Sequence, residues 1–485
     1  MVVTLALMRL VWKVDGRLEE PHLYEYSKML SMLNWIATCF VTDPVGDGVA
    51  TALSTEEDQI ILYIATHRGQ PRPDDKAYGA HFIQLLRETI TQTNVSSTTN
   101  QLVATLAPRL YTRFARKVDM IRKMDEPSEP VEVQFNRIVD QWAADNNMED
   151  WTFFLTESLH LGSVEHENGN QRLKSVFNAI VSMARADAKS DIPQDEQTRR
   201  SRVFTFALSA FTLLKSRFFT RIDCYGKKSI LRGTKDFVWI LRLRRRLWRL
   251  ASYYKDAWTF AEIAFPFFRR ILKPDGIATF QQGGSGIKIV WIGDQPGVLP
   301  NPHPNTVVIK QSPETLLNEL FIKFEEEDES LPVIPPETKK DLENLWHEDI
   351  AIDICLHCEL QMIAYLEANH IQIQGDSIGS SKLMCWACDA YVEKVNANRK
   401  RNGEDRWVLS GTSYKLDHRW LIPPTPIGED IASDLRSRLR SSIEWLAAIL
   451  HRQHWRASQT ETVLSFENFT ILDSVRDIMH DLFEQ

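Results

Sequence analysis

The chain has 485 residues, 43% hydrophobic and 25% charged, an ordinary globular composition with enough length for roughly three domains. A net charge of −8 excludes a protein that is basic throughout and binds polyanions by bulk charge alone. No run approaches the ~18 apolar residues of a membrane span, and the apolar stretch 1–14 lacks the basic flank and small-residue cleavage site of a signal peptide. An intracellular location, cytoplasmic or nuclear and away from membranes, is expected.

In chain order, the first ~270 residues carry apolar spacings of amphipathic helices. Phe82, Leu85, Leu86 and Ile90 share one face, as do Leu102, Leu106, Leu110 and Phe114, with Pro108 expected to kink that segment or to start a new helix. Similar patterns cover 172–186, 200–216 and 236–250, separated by polar gaps at 92–101 and 187–200. Near Pro274 the character changes. A glycine-rich turn (Gly283, Gly284, Gly286) leads into the apolar run 287–292, then a Pro/Gly/Asn-rich loop, then 306–309, which together predict a strand, loop, strand unit. Helices are expected at 313–324 and 337–347 around an acidic loop. Strand and helix signals alternate from Ile350 onward. After the prolines at 423, 424 and 426, a helix is expected with Ile431, Leu435, Leu439, Ile443, Leu446 and Leu450 on one face, followed by a last helix at 471–483. The division expected is a mainly helical region (1–275), a strand-and-helix domain (276–425) and C-terminal helices (426–485).

The chemistry concentrates in two short runs. His357-Cys358-Glu359 reads H-x-E, and after 25 residues Cys385-Trp386-Ala387-Cys388 reads C-x-x-C. Zinc-dependent base deaminases use one histidine and two cysteines on the metal, with a glutamate nearby that is not a ligand. A three-ligand zinc lowers the pKa of a water in its remaining position, which hydrolytic deamination at neutral pH requires. Residues three apart share a helix face, so Cys385 and Cys388 can grip one ion, and a helix N-terminus favours their thiolates. His357 and Glu359, two apart, point ~200° away from each other on a regular helix. Both reach one site only if His357 stands at or just before a helix start. Glu359 would then carry protons.

The segments 356–361 and 378–388, with Ser410-Gly411-Thr412 and Arg419-Trp420, make this region resemble the cytidine-deaminase-like superfamily. It is most similar to the branch of predicted nucleic-acid or nucleotide deaminases found in fungal proteins and bacterial toxins. The resemblance covers about 280–425. It implies a three-layer α/β/α fold with a mixed five-stranded sheet, preceded by the helical region and followed by a helical cap. It also implies His357, Cys385 and Cys388 as zinc ligands and Glu359 as proton shuttle, in a hydrolase acting on the C–N bond of an amidine-type base. Ser380, Ser381, His418 and Trp420 are candidate pocket residues. The chain departs from the pattern at Met384, where the superfamily usually has proline.

Other readings compete. Cys355 and Cys358 form a second C-x-x-C, which with Cys385 and Cys388 could build a closed four-cysteine structural site. The cysteines could also be buried without metal, as Cys39 and Cys224 are expected to be. The domain could be a catalytically inactive, zinc-stabilised interaction protein. Finally, 215–249 holds twelve basic residues against two acidic, with Phe218, Phe219, Tyr225 and Trp248 interleaved. This run could track the phosphates of a nucleic acid. It could instead be a helix whose leucines face a core while its arginines pair with acidic groups.

Overall fold

The computed structural model describes residues 27–41, 48–56, 59–124, 129–145, 169–189, 195–216, 218–220, 235–284, 286–294, 305–309, 350–412, 420–421, 423, 425–435 and 437. The readings for 1–14, 313–324, 337–347, the acidic loop, Cys224, His418 and 471–483 lie outside these residues, as does the C-terminal helix beyond 437. No helix among the described residues is long and apolar enough to cross a membrane.

Helix α1 (Lys28–Cys39) starts where the Ser27 side chain accepts the Leu30 N–H. Strands β1 (Val49–Glu56) and β2 (Gln59–Thr66) follow as an antiparallel hairpin. Helices α2 (Pro73–Thr89), α3 (Val95–Arg122), α4 (Val131–Asp145), α5 (Gly169–Lys189), α6 (Glu196–Leu214) and α7 (Lys235–Gln281) build the helical body. Then come β3 (Ile287–Trp291), β4 (Asn305–Ile309), β5 (Ile350–Ile354), α8 (Cys358–Ala368), the short β6 (Gly379–Ser380) and α9 (Trp386–Arg401). Residues 426–435 are helical, with Ile431 and Leu435 buried.

The helical periodicities hold: Phe82, Leu85, Leu86 and Ile90 are buried together, as are Leu102, Leu106, Leu110 and Phe114. Pro108 does not divide its segment, because α3 runs through it as one helix. The change of character at Pro274 is a backbone event. Lys273 takes φ 55°, and the helix resumes after it. The strand, loop, strand unit is present, but its two strands belong to different sheets. β3 and β4 form, but they do not pair with each other: β3 joins β2 in parallel, and β4 pairs antiparallel with β5.

The main sheet has four strands in the order β3-β2-β1-β6, with mixed directions. The five-stranded sheet that the resemblance implies is thus met among the described residues by four strands and a separate two-stranded ribbon. Alternation along β1 and β2 divides the sheet's faces. Val49, Leu53, Ile60, Leu62 and Ile64 join the core of the helical body. Ala50, Ala52, Ile61, Tyr63 and Ala65 join a second core with Leu356, Leu360, Ile363 and Val392 of the α8–α9 unit. Next to β6, Ile378 N–H donates to Val408 C=O (2.9 Å) and Val408 N–H to Asp376 C=O (2.8 Å). The sheet therefore draws on both sides of the boundary expected at 275/276.

Two close approaches fix β6 against α1. A Cβ on Gly379 would stand 2.4 Å from the Leu33 carbonyl carbon, so only glycine lets the strand pass under the helix. Beside it, Asn34 Oδ1 accepts from Ser380 N–H (2.7 Å) and from the Ser410 hydroxyl (2.6 Å).

Candidate metal centre

Both halves of the motif stand at helix starts. His357 is the N-cap of α8, with extended backbone at φ −64° and ψ 148°. Its side chain leaves the chain before the helical turn begins, which removes the opposition of directions that two adjacent-but-one helical positions would impose. Glu359 sits in the first turn. Cys385 is the N-cap of α9, and its Sγ accepts the Cys388 N–H at 3.4 Å.

His357, Cys385 and Cys388 converge. Nδ1 of His357 lies 3.3 Å from Cys388 Sγ and 3.6 Å from Cys385 Sγ, and all three residues are buried. Zinc–sulfur and zinc–nitrogen bonds of about 2.3 and 2.0–2.1 Å at a tetrahedral angle put N and S ligand atoms about 3.5 Å apart. The residues present fit that ion. Cys355 and Cys358 do not join them. The Cys358 thiol donates to Glu359 Oε2 (3.4 Å), and the Cys355 thiol meets His67 Nε2. Among the described residues, the groups able to share an ion are His357 with Cys385 and Cys388, and His67 with Cys355 and His357. The four-cysteine arrangement is not formed.

The electrostatics are those of a crowded, buried site. Burial alone would push the Cys385 thiol up, but the hydrogen bond from Cys388 and the neighbouring His357 outweigh it and hold Cys385 well below the usual thiol range. Burial and the negative charge of Cys385 push Cys388 well above that range, as expected when two close thiols share one charge. Burial raises the Glu359 carboxyl; His357 and the backbone N–H at the helix start pull it back, and Cys385 adds to the rise. Burial and Glu359 raise Cys358.

The candidate pocket residues have other contacts. Ser381 exchanges hydrogen bonds with Val49, and the Ser380 hydroxyl donates to the Lys382 carbonyl. Trp420 is 1% exposed and bridges to Cys355 in parallel. At the far ends of α8 and α9, a separate cleft of about 520 Å³ is lined by Leu366, Glu367, Ile373, Asp376, Arg399 and Trp407, among others. There Arg399 lies over the Trp407 ring and pairs with Glu367 (2.8 Å) and Glu404 (3.1 Å).

His67 was missed by sequence reasoning. It carries no motif, and 288 residues separate it from Cys355. The only available signal was a histidine directly following the apolar run 60–66.

Residues 356–424 are deaminase-like: they match a family model described as OTT_1508_deam-like deaminase. The matched segment contains the whole H-x-E … C-x-x-C constellation. No curated protein and no solved structure matches the chain.

Proposed function

We propose that the chain is a zinc-dependent hydrolytic deaminase acting on an amino-bearing nucleobase. The observation that carries this reading is the convergence of His357, Cys385 and Cys388, at separations suited to zinc, beside the buried Glu359. His357, Cys385 and Cys388 would hold the ion, which would supply a water of lowered pKa. Cys385 favours the ionised ligand form because it accepts the Cys388 N–H at a helix N-terminus. Glu359 would take a proton from the attacking water and deliver it to the departing amine nitrogen, a role suited to a carboxyl raised by burial. The balance is amine and water in, carbonyl and ammonia out.

On this reading the deaminase unit includes α1, β1 and β2 as well as 276–425, with α2 to α7 inserted between β2 and β3. Residues 407–412, hydrogen-bonded alongside 376–384, take the place of the fifth strand.

A polynucleotide is the favoured form of the substrate. Leu243, Leu247 and Leu250 of α7 are buried, while Arg242, Arg245 and Arg249 are exposed beside a 41% exposed Trp248. Among the described residues Arg242, Arg245, Arg246 and Arg249 make no carboxylate pair, and Arg246 donates to the Met120 carbonyl. Partial burial, then repulsion from Arg242 and Arg249, lowers Arg246. Phosphates would relieve that repulsion, and Trp248 offers a stacking face.

The test is metal analysis of the purified chain, followed by incubation with nucleosides, nucleotides and single-stranded nucleic acids under mass spectrometry. About one zinc per chain and a gain of about 1 Da on a base are expected. Zinc without conversion on any substrate would leave a zinc-stabilised interaction protein as the better reading.

A further inference from the structure

His67 follows the last residue of β2. Its backbone N–H donates to the Gly48 carbonyl (2.9 Å), and the Thr66 carbonyl accepts both Gly69 N–H (2.9 Å) and the Gln361 side-chain amide (3.1 Å). Gln361 is fully buried on α8, and the same amide donates to the Leu356 carbonyl at 2.6 Å. One side chain thus clamps the end of β2 to the residue before His357, and His67 is carried into place on that clamp.

Two contacts follow. Nε2 of His67 lies 2.9 Å from Cys355 Sγ, and its ring stands 4.8 Å from the His357 ring at 51°. His67, Cys355 and His357 could in principle share an ion of their own. His357 already meets Cys385 and Cys388 through Nδ1, so the His67–Cys355 contact is assigned as a thiol–imidazole hydrogen bond.

As an N-cap in extended backbone, His357 has no preceding helical turn against its ring. The ring must be turned so that Nδ1, rather than Nε2, faces the two thiols. A ligating histidine is usually held by partners outside the metal shell, and losing such a partner typically costs 10–100-fold in metal affinity.

We propose that His67 is a positioning residue for the metal centre: its ring packs on His357 and sets the direction of Nδ1, while Cys355 holds His67. This rests on the reading of His357, Cys385 and Cys388 as metal ligands. It adds that the centre is completed by a residue from the N-terminal hairpin.

The test loads the metal-free full-length chain with cobalt(II) and reads its visible spectrum, then measures zinc affinity by chelator competition. The variants are His67→Ala, His67→Phe and Cys355→Ala, each checked by metal-free melting temperature. His67→Ala is expected to bind one ion about 10–100-fold more weakly, with shifted cobalt bands, while melting near the parent. His67→Phe, which keeps a ring, should recover part of the affinity, and Cys355→Ala should give a smaller loss. A parent-like spectrum and affinity in His67→Ala overturn the proposal. So does complete loss of the ion, which would make His67 a ligand. If His67→Ala does not fold, Cys355→Ala decides, and a parent-like spectrum and affinity in that variant overturns the proposal. A parent chain that takes up no cobalt removes the metal reading itself, a result distinct from the others.

Discussion

Val49 and Ser381 exchange two hydrogen bonds across 332 residues of sequence: Val49 N–H donates to Ser381 Oγ (3.0 Å), and Ser381 N–H to the Val49 carbonyl (2.9 Å). The segment leading to Cys385 is thereby sewn to the N-terminal hairpin. A fragment of residues 276–485 lacks β1 and β2, against which α8 buries its apolar face. It should fail to give a cooperative thermal transition and should hold no zinc, by circular dichroism and metal analysis. A folded, zinc-loaded fragment would show that the hairpin is dispensable.

The ligand set makes a second prediction. Cys385→Ser, Cys388→Ser and His357→Ala should each lose most bound zinc, whereas Cys358→Ser should retain it, because its thiol points to Glu359. Equal zinc loss in Cys358→Ser and Cys388→Ser would revive the four-cysteine site.

Glu359→Gln keeps size and hydrogen-bonding capacity but cannot move a proton. Deamination should fall ~10²–10⁴-fold with zinc content unchanged. Loss of zinc together with activity would make Glu359 a ligand instead, and full activity would exclude it as the shuttle.

The metal centre was legible because its geometry is local. Two N-caps and a first-turn glutamate are set by spacing within H-x-E and C-x-x-C, and only the meeting of the two runs needed the fold. The sheet was not legible in the same way. β1 and β2 are buried on both faces, so they lack the alternation that marks a half-exposed strand, and the reading of 1–275 as mainly helical passed over them. β6 has two residues and no pattern of its own; Gly379 is fixed by Leu33, far away in sequence. Pro108 does not start a new helix, since tertiary packing of Leu106 and Leu110 carries α3 through a residue that disfavours helix.

The arginine face of α7 predicts a salt signature. If it tracks phosphates, single-stranded nucleic acid should bind with an affinity falling steeply with salt, and replacing Arg242, Arg245 and Arg249 by Ala should reduce the slope by roughly 2 in log–log terms. Turnover of a free nucleoside should not change. An unaltered slope would make the face scaffold.

Asp256 on α7 predicts a pH dependence away from the metal centre. Burial pushes its carboxyl up to about 7, with Lys255 and Lys117 offsetting only part of the rise. The folded state therefore holds this proton more tightly than the unfolded chain does. Stability contributed by the protonated group is full below the unfolded value near 3.8 and is lost as pH rises through about 7. Asp256→Asn should melt at least ~2 °C higher than the parent at pH 8, with the difference vanishing near pH 4. A constant difference across that range would show that Asp256 does not titrate as described.

The pairing of His67 with Cys355 also bears on how the chain is born. At synthesis rates of about 5–20 residues per second, the 288 residues between them take roughly 15–60 s to emerge. Through that interval the face of the hairpin formed by Ala50, Ala52, Ile61, Tyr63 and Ala65 has no cover, because Leu356, Leu360 and Ile363 do not yet exist. The nascent protein carries that apolar face uncovered until the α8 residues emerge. Chaperone demand and proteolytic loss should therefore concentrate in that window.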